Sequence, residues 1–402
     1  MTGRKSGATV EVSADAVRAF RLHAHHLTRR QPLDALLDVA GACGIQNSPP
    51  GSALLALHAR VEGVTPGHFD ALIGADKTLL QTWCMRGSPY LFPTADTPIF
   101  TTGVLPPTEK ARVHLITGVD PALAELGLSL DEAVDHTAAE IDAVLSGRRL
   151  AINELGQELA DRIAPKLSPA QRKTWQAPGP YAAGQPLGEG VVHFCLRILT
   201  LRGLICFAER TGNKSPFVLV EEWLGAPPPQ LDPETARAAL LRRYLHCYGP
   251  STRKDFAAWL GVSTGDVDPW WNSLENELTP IEFAGNRTWI HTDDLDALTC
   301  SPPSHGLRLL PPGDPYIQSR DRETLIDKKH HREIWKTVGA PGTILADGEL
   351  AGIWRPRKTN SALALTITTF RPLKPALRKQ LRAEAEQLAE LRGAKTVQVV
   401  TS

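Results

Sequence analysis

The sequence lacks three features that would place the protein outside the cytoplasm or in a membrane. It has no apolar run long enough to span a bilayer, no apolar segment of signal-peptide length near its start, and no small-residue cleavage pattern. Its formal net charge is zero, and its 42% hydrophobic and 22% charged residues are typical of an ordinary globular protein. We therefore expect a cytoplasmic protein of about two to four domains that does not enter the membrane.

The sequence also has no CxxC pair and no HExxH motif. These absences argue against a disulfide framework, a thiolate zinc site and a helix face with two imidazoles and a base. Two groups of histidines, at residues 23–26 and 330–331, have other spacings. The sequence predicts no metal site and no cofactor, and it predicts that most cysteines are small core residues. The cysteines are at positions 43, 84, 195, 206, 247 and 300.

The zero net charge conceals a gradient along the chain. Residues 301–402 contain 17 Lys or Arg against 10 Asp or Glu, a net charge of +7, whereas residues 1–300 contain 27 against 34, a net charge of −7. A basic C-terminal part favours a polyanionic partner such as nucleic acid, although a solvated charged surface gives the same count.

A pattern of three helices followed by a hairpin is clearest in the third quarter of the chain. Helical spacing at 236–248 is followed by helices at 253–261 and 265–278, and Gly249 and Pro250 end the first of them. Two strands then surround Gly285–Asn286, a dipeptide suited to the positive φ of a tight turn. Three helices and a hairpin predict a winged helix.

The same order of elements occurs earlier in the chain. Residues 128–225 repeat it, with a strand pair around Thr211–Lys214, and the proline-rich segment 225–234 follows as a linker. The N-terminal segment is compatible with another copy. There, three helical stretches precede a segment that can make strands, at residues 13–27, 32–42, 68–76 and 79–93.

The C-terminal region differs in kind. Prolines and charges form a loop before two strands around Asp347–Gly348, a third strand at 362–370 and an amphipathic helix at 374–393. The predicted fold class is therefore α+β, mainly helical, with tandem winged-helix domains and a C-terminal α+β module. The predicted domains are residues 1–127, 128–230, 231–300 and 301–402.

Helix-turn-helix units also occur in proteins that never touch DNA, where they serve dimerisation or protein binding. Particular residues have to distinguish a DNA-binding protein from these other proteins, and four segments contain such residues. They are AGACGIQNSPPGSALLALHARV, LLQTWCMRGSPYLFP, YGPSTRKDFAAWLG, and RLLPPGDPYIQSRDRETLI followed by DGELAGIWR. In this order they resemble the AlkZ-like and YcaQ-like bacterial DNA glycosylases over nearly the whole chain. The resemblance implies tandem winged helices around a DNA-binding channel and hydrolysis of the N-glycosidic bond of alkylated bases.

The resemblance also implies catalytic residues. The family has two polar residues around a hydrophobic one, Gln-x-Gln or Gln-x-Asp, at the end of a helix. Gln46 matches the first polar position, Ser48 occupies the second, and Asn47 stands where the hydrophobic residue is expected. A shifted match with Asn47 as the partner of Gln46 is the alternative. From the residues alone, all three could instead cap a helix and start a turn before Pro49 and Pro50.

A neutral polar motif is sufficient when the substrate is already activated. A purine alkylated at N7 is cationic, so the base leaves without being protonated and no strong general acid is needed. The remaining task is to stabilise the oxocarbenium character of the sugar and to hold a water near C1′. Amide and hydroxyl oxygens can do both. A carboxylate would be stronger, and its absence predicts either a very labile substrate or slow turnover.

Candidate DNA contacts lie in two of the family segments and in the basic run that follows. An arginine beside a glycine in the second segment can hold a phosphate or pair with a carboxylate inside the fold. The charged loop offers a tyrosine that can stack at the lesion or pack against its own domain, and the basic run can track the backbone. The candidates are Arg86, Ser88, Tyr316, Arg320, Arg322, Lys328 and Lys329. Trp270 and Trp271 are expected in the core rather than as intercalating wedges.

The leading hypothesis is a monomeric, monofunctional DNA glycosylase that excises bulky or cationic alkylpurines such as N7-alkylguanines from double-stranded DNA. The resemblance further implies base excision repair or self-resistance to a DNA-alkylating natural product. The alternatives are a non-catalytic DNA-binding protein, as a regulator or damage sensor, and a protein–protein adaptor.

Overall fold

A computed structural model of the chain describes residues 10–210, 215–359 and 361–401. It is a mixed α+β fold in which about half of the described residues lie in helices, short 3₁₀ turns included. Among the described residues, no helix combines the length and the apolar character that crossing a bilayer requires.

The α-helices are α1 (Ala14–Ala24), α2 (Leu36–Gly41), α3 (Ser52–Arg60), α4 (Pro66–Gly74), α5 (Thr97–Phe100), α6 (Glu109–Leu115), α7 (Asp120–Leu126), α8 (Leu130–Leu145), α9 (Ile152–Ile163), α10 (Pro169–Trp175), α11 (Leu187–Leu201), α12 (Val220–Leu224), α13 (Pro233–Tyr248), α14 (Arg253–Leu260), α15 (Asp268–Ser273), α16 (Leu295–Cys300), α17 (Arg322–Leu325), α18 (His331–Ile334) and α19 (Pro375–Leu391). The strands are β1 (Val10–Glu11), β2 (Ile45–Gln46), β3 (Leu79–Trp83), β4 (Pro89–Pro93), β5 (Ile205–Phe207), β6 (Phe217–Leu219), β7 (Leu278–Phe283), β8 (Asn286–His291), β9 (Leu307–Leu310), β10 (Gly342–Ala346), β11 (Glu349–Thr359), β12 (Ala362–Thr369) and β13 (Thr396–Thr401).

The chain folds into two compact units, and each unit combines segments that are far apart in the sequence. Unit 1 comprises the described residues within 1–66, 241–256 and 270–402, and unit 2 comprises those within 67–240 and 257–269. The separate proposal of four domains, with boundaries after residues 127, 230 and 300, remains a prediction.

Unit 1 is built on a five-stranded sheet in the order β13-β12-β11-β10-β9, antiparallel except for the β12–β13 pair. Alternation along β12 buries Leu363, Leu365 and Ile367. Helix α19 packs its apolar face on them, and α3 joins the same core through Leu55. A second sheet of unit 1 has the order β1-β7-β8 and packs with Phe20 of α1.

Unit 2 contains the antiparallel strand order β4-β3-β5-β6, on which α11 packs together with α8 and α9. Helix α8 begins in a capping box in which Ser129 and Glu132 satisfy each other's main-chain amides. The predicted strand pair of this segment is confirmed as β5 and β6. Its predicted turn, Thr211–Lys214, lies outside the described residues.

Most of the predicted helices and strands of the third quarter and of the C-terminal region are present. The helix predicted at 265–278 is the shorter α15 with a 3₁₀ turn on either side, and α16, α18 and β13 were not predicted. The turn between β7 and β8 lies at Ala284–Gly285, where φ is 50° and 72°, and Asn286 already belongs to β8. The predicted turn at Gly285–Asn286 was therefore wrong by one residue. The sequence pattern predicts a positive φ at Gly285 and Asn286, whereas the two turn residues with a positive φ are Ala284 and Gly285. The proline-rich loop also holds β9, a 3₁₀ turn at Pro315–Gln318 and α17.

Candidate active site

The Gln46–Asn47–Ser48 motif connects β2 to α3 in unit 1. Gln46 ends the strand, and all three side chains are half-buried. The segment leaves the motif through Pro49 and Pro50 and turns into the helix at Gly51, which has a φ of 87°. The motif thus lies in a short, constrained connection whose ends are fixed by a strand and a helix.

The Asn47 side chain caps the start of α3. Its Oδ1 accepts hydrogen bonds from the main-chain amides of Gly51 at 2.9 Å and Ala53 at 3.3 Å. The first amides of a helix have no partner within the helix, so this side chain supplies one. Asn47 therefore caps a helix, which is the alternative that the sequence leaves open for this residue. The same contacts hold the flanking residues Gln46 and Ser48 in place.

Gln46 is bound to a residue that is distant in sequence. Its Oε1 accepts a hydrogen bond from Gln318 Nε2 at 2.5 Å, and the same Nε2 donates to the main-chain carbonyl of Gly313 at 3.0 Å. Because a carbonyl oxygen can only accept, the Gln318 atom that faces Gly313 must be its amide nitrogen. Gln46 must then present its oxygen to Gln318, so the network fixes the orientation of the Gln46 amide.

Gly313 lies against the motif at close range. Its φ is 72°, and a Cβ added there would be 3.1 Å from the carbonyl oxygen of Ser48 and 3.4 Å from Gln46 Cδ. Both the backbone conformation and the close approach favour glycine. The Ser48 hydroxyl, in contrast, has no hydrogen-bond partner among the described residues, so it is available to a water or a substrate.

The loop that carries Gly313 and Gln318 is anchored near both ends by buried arginines. Asp314 forms a bidentate pair with Arg60 of α3, at 2.7 and 2.8 Å, and both side chains are at most 3% exposed. Asp321 accepts two bonds of 2.9 Å from Arg21, which also donates to the Gly249 and Pro250 carbonyls. The two ion pairs fix the loop on either side of Gln318.

A cleft of about 370 Å³ opens beside this loop in unit 1. Gly313 and Gln318 line it, together with the cationic side chains of Arg320, Arg322 and Lys336, and no acidic residue is among its lining residues. Arg322 lies over the ring of Trp335 at 4.6 Å, a cation–π contact that holds the guanidinium at the rim. The cleft therefore offers positive charge next to the Gln46–Gln318 pair.

Lys328 and Lys329 are exposed on the same unit, and Lys329 pairs with exposed Asp327 at 3.3 Å. Tyr316 is only 2% exposed, because its ring packs edge-on against His25 within an apolar cluster of unit 1. In this conformation Tyr316 is not free to stack on a base. It packs against its own domain, which is the second of the two roles that the sequence allows.

Arg86 and Ser88 belong to unit 2, at the connection between β3 and β4. Arg86 adopts a φ of 55°, and its guanidinium donates to the Trp259 carbonyl and, at 3.1 Å, to the Tyr90 hydroxyl. Ser88 is half-buried, and its carbonyl accepts from the Cys84 amide at 2.9 Å. These contacts give the β3–β4 connection a defined shape within unit 2.

Two core predictions are confirmed. Trp270 and Trp271 are 0% and 2% exposed. All cysteines except Cys300 are buried. The residues that sequence reasoning missed are Gln318 and Gly313, although both stand in a segment that carries the family resemblance. The available signal was a long neutral polar side chain between two aspartates of a proline-rich loop.

Comparisons with known proteins identify the family of the chain. The sequence model of the family described as DNA glycosylase AlkZ-like matches residues 39–391. An interstrand DNA cross-link repair glycosylase of Streptomyces sahachiroi is 23% identical over 385 residues, which is 94% of this chain and 96% of that protein. The structure of the Streptomyces sahachiroi DNA glycosylase AlkZ superposes with a TM-score of 0.75 at 23% identity and covers 98% of this chain and 100% of its own. The chain belongs to the AlkZ-like family of DNA glycosylases.

Proposed function

We propose that the protein is a monofunctional DNA glycosylase that hydrolyses the N-glycosidic bond of bulky or cationic alkylpurines, N7-alkylguanines above all. The observation that carries this proposal is the fixed amide of Gln46, whose oxygen is oriented by Gln318 next to a cationic cleft. Family membership supports hydrolysis of N-glycosyl bonds in DNA. The choice of alkylpurines rests on the neutral chemistry of the motif.

Gln46 and Ser48 act on the sugar rather than on the leaving base. One lone pair of Gln46 Oε1 accepts from Gln318, and the second remains for a water or for the cationic C1′ region. The Ser48 hydroxyl holds the attacking water from the other side. Because the donor and acceptor directions are fixed before the substrate arrives, little reorganisation is needed when the oxocarbenium character develops.

DNA is held through phosphates. Arg320 and Arg322 line the cleft, Lys328 and Lys329 extend the basic surface, and we assign phosphate contacts to all four. The helices and hairpins of both units, including the β7–β8 hairpin after α15, are proposed to act as winged helices. Arg86 and Ser88 are proposed to support a backbone contact from unit 2.

The biological role follows from the substrate class. The curated relative is named as an interstrand cross-link repair glycosylase, and we propose for this chain a role in base excision repair or in self-resistance to a DNA-alkylating natural product. The protein acts as a monomer on double-stranded DNA. A non-catalytic damage sensor is the alternative, because Ser48 replaces the second amide or carboxylate of the family motif.

The first test is base release. A duplex with one N7-methylguanine is incubated with the protein, and mild alkali then converts abasic sites into strand breaks. We expect breaks at the modified position only, and none in an unmodified duplex. Salt-sensitive binding of the modified duplex without base release would establish the sensor instead.

The charge of the cleft has its own expected result. Arg320→Ala and Arg322→Ala should each weaken DNA binding and lower the slope of log K against log salt by about 0.9, the value for one phosphate contact. The matched control is Arg382→Ala, on the exposed face of α19 and outside the cleft. Equal slopes for all three variants and the wild type would remove the cleft from the DNA surface.

Gly313→Ala tests the packing of the motif. The added methyl group must occupy a left-handed conformation and approach the Ser48 carbonyl to 3.1 Å. A shift of the motif of about 1 Å can cost about 100-fold in rate, so we expect a large fall in kcat with the duplex still bound. Gly339→Ala, at a φ of 64° with open space around it, controls for the backbone strain alone.

A further inference from the structure

Three sulfur and nitrogen ligands come together in the interior of unit 1, and the proposed glycosylase chemistry uses none of them. They are the side chains of His25, Cys43 and Cys247, whose ligand atoms all lie within 4.8 Å of one another. His25 directly follows α1, Cys43 lies between α2 and β2, and Cys247 belongs to the last turn of α13. Their exposed fractions are 2%, 4% and 0%.

The contacts of the imidazole leave it incompletely satisfied. His25 Nδ1 lies 4.0 Å from Cys43 Sγ, which is longer than a strong hydrogen bond, and Nε2 has no partner within the described residues. The ring is wedged edge-on between Tyr248 and Tyr316. Nδ1, the nitrogen that faces Cys43 Sγ, therefore has no strong hydrogen bond to Cys43 that a metal ion would have to break.

The two thiols are in hydrogen-bond contact with each other. This contact lowers the pKa of the Cys43 thiol well below its ordinary value and raises the pKa of Cys247. The Tyr248 hydroxyl lies 3.8 Å from the Cys43 sulfur. Both sulfurs and the imidazole therefore face the same small space in the interior of unit 1.

We propose that His25, Cys43 and Cys247 bind one zinc ion. With a Zn–S bond of about 2.3 Å, a Zn–N bond of about 2.0 Å and a tetrahedral angle, ligand sulfur and nitrogen atoms are about 3.5 Å apart. The 4.0 Å between Cys43 Sγ and His25 Nδ1 needs a contraction of about 0.5 Å to reach this distance, and no pair of ligand atoms in the group is more than 4.8 Å apart. Zinc with two thiolates and one neutral imidazole is also electrically neutral, as a buried site requires.

The fourth position has an oxygen nearby. The Ala42 carbonyl lies 3.5 Å from Cys247 Sγ and accepts from it. When zinc displaces the thiol proton, this carbonyl or a water completes the tetrahedron. The ion would then join α1, α13 and the segment that leads through β2 to Gln46, three residues beyond Cys43. Its role is structural, and the proposal does not depend on the proposed chemistry.

The test is metal content and cobalt spectroscopy of the full-length protein purified in reducing buffer without chelator. We expect one zinc per chain. After zinc removal and addition of Co²⁺, we expect a thiolate-to-cobalt charge-transfer band with the intense visible bands of tetrahedral cobalt. Cys43→Ser and Cys247→Ser should lose the band, whereas Cys300→Ser, which alters the exposed cysteine, should keep it.

Three results would overturn the proposal. The first is wild-type protein without zinc that shows no charge-transfer band with Co²⁺. The second is a band that persists when Cys43 and Cys247 are both serine. The third is protein isolated without reductant that contains no metal and is two mass units lighter than its reduced form, because two thiols already joined in a disulfide would identify a redox pair. If the serine variants do not fold, the zinc content and cobalt spectrum of the wild type still decide.

Discussion

Asp314→Ala is expected to lower the free energy of unfolding by about 3–5 kcal/mol, because it leaves Arg60 buried without its counter-charge. The Arg60 side chain is 3% exposed and its other contacts are the His25 and Ala56 carbonyls. Neither carbonyl carries a full charge that could replace the carboxylate. The substitution also removes the acceptor for the Tyr316 amide at 3.0 Å, which starts the 3₁₀ turn.

The measurement is urea unfolding followed by circular dichroism. Because the chain has two units, the midpoint of each transition is compared with that of the wild type. Asp327→Ala removes the exposed pair with Lys329 and should change stability by less than about 1 kcal/mol. The double variant Arg60→Met, Asp314→Leu should regain part of the loss, since no charge then stays buried alone. A loss as small as that of Asp327→Ala would show that water reaches Arg60.

The elements of this fold could be predicted from the sequence because their signals are local. The alternation in β12 and the helical spacing of α19 depend on neighbours two to four residues apart. The β7–β8 turn was misplaced by one residue, because Ala284 gives no signal for its positive φ. Local patterns indicate the periodicity of helices and strands, but they do not indicate which turn residue adopts a positive φ.

The site could be predicted only in part. Gln46 and Ser48 follow from one segment, but the hydrogen bond that orients Gln46 comes from Gln318, 272 residues away. The sequence contains no periodicity that links these two residues. Their contact depends on how α3 and β9 pack in unit 1 and on the ion pair between Arg60 and Asp314. The same reason hid the grouping of His25, Cys43 and Cys247.

Gln46→Ala is expected to reduce release of N7-methylguanine by about 100- to 1,000-fold, the range found when one oriented donor or acceptor is removed from a catalytic site. The duplex should still bind, because the proposed phosphate contacts come from Arg320, Arg322 and the lysines after them. Single-turnover rates and the dissociation constant of the same duplex separate the two effects. Gln380→Ala, on the exposed face of α19, is the matched control.

Gln318→Glu tests whether orientation, rather than the mere presence of Gln46, matters. A carboxylate cannot donate to the Gly313 carbonyl or to Gln46 Oε1, so the Gln46 amide should turn its nitrogen towards residue 318. We expect a fall in the single-turnover rate that approaches that of Gln46→Ala, with the dissociation constant nearly unchanged.

Base release at the wild-type rate in Gln46→Ala would mean that Ser48 or another group holds the water. Full activity in Gln318→Glu alone would leave Gln46 catalytic but oriented by the substrate.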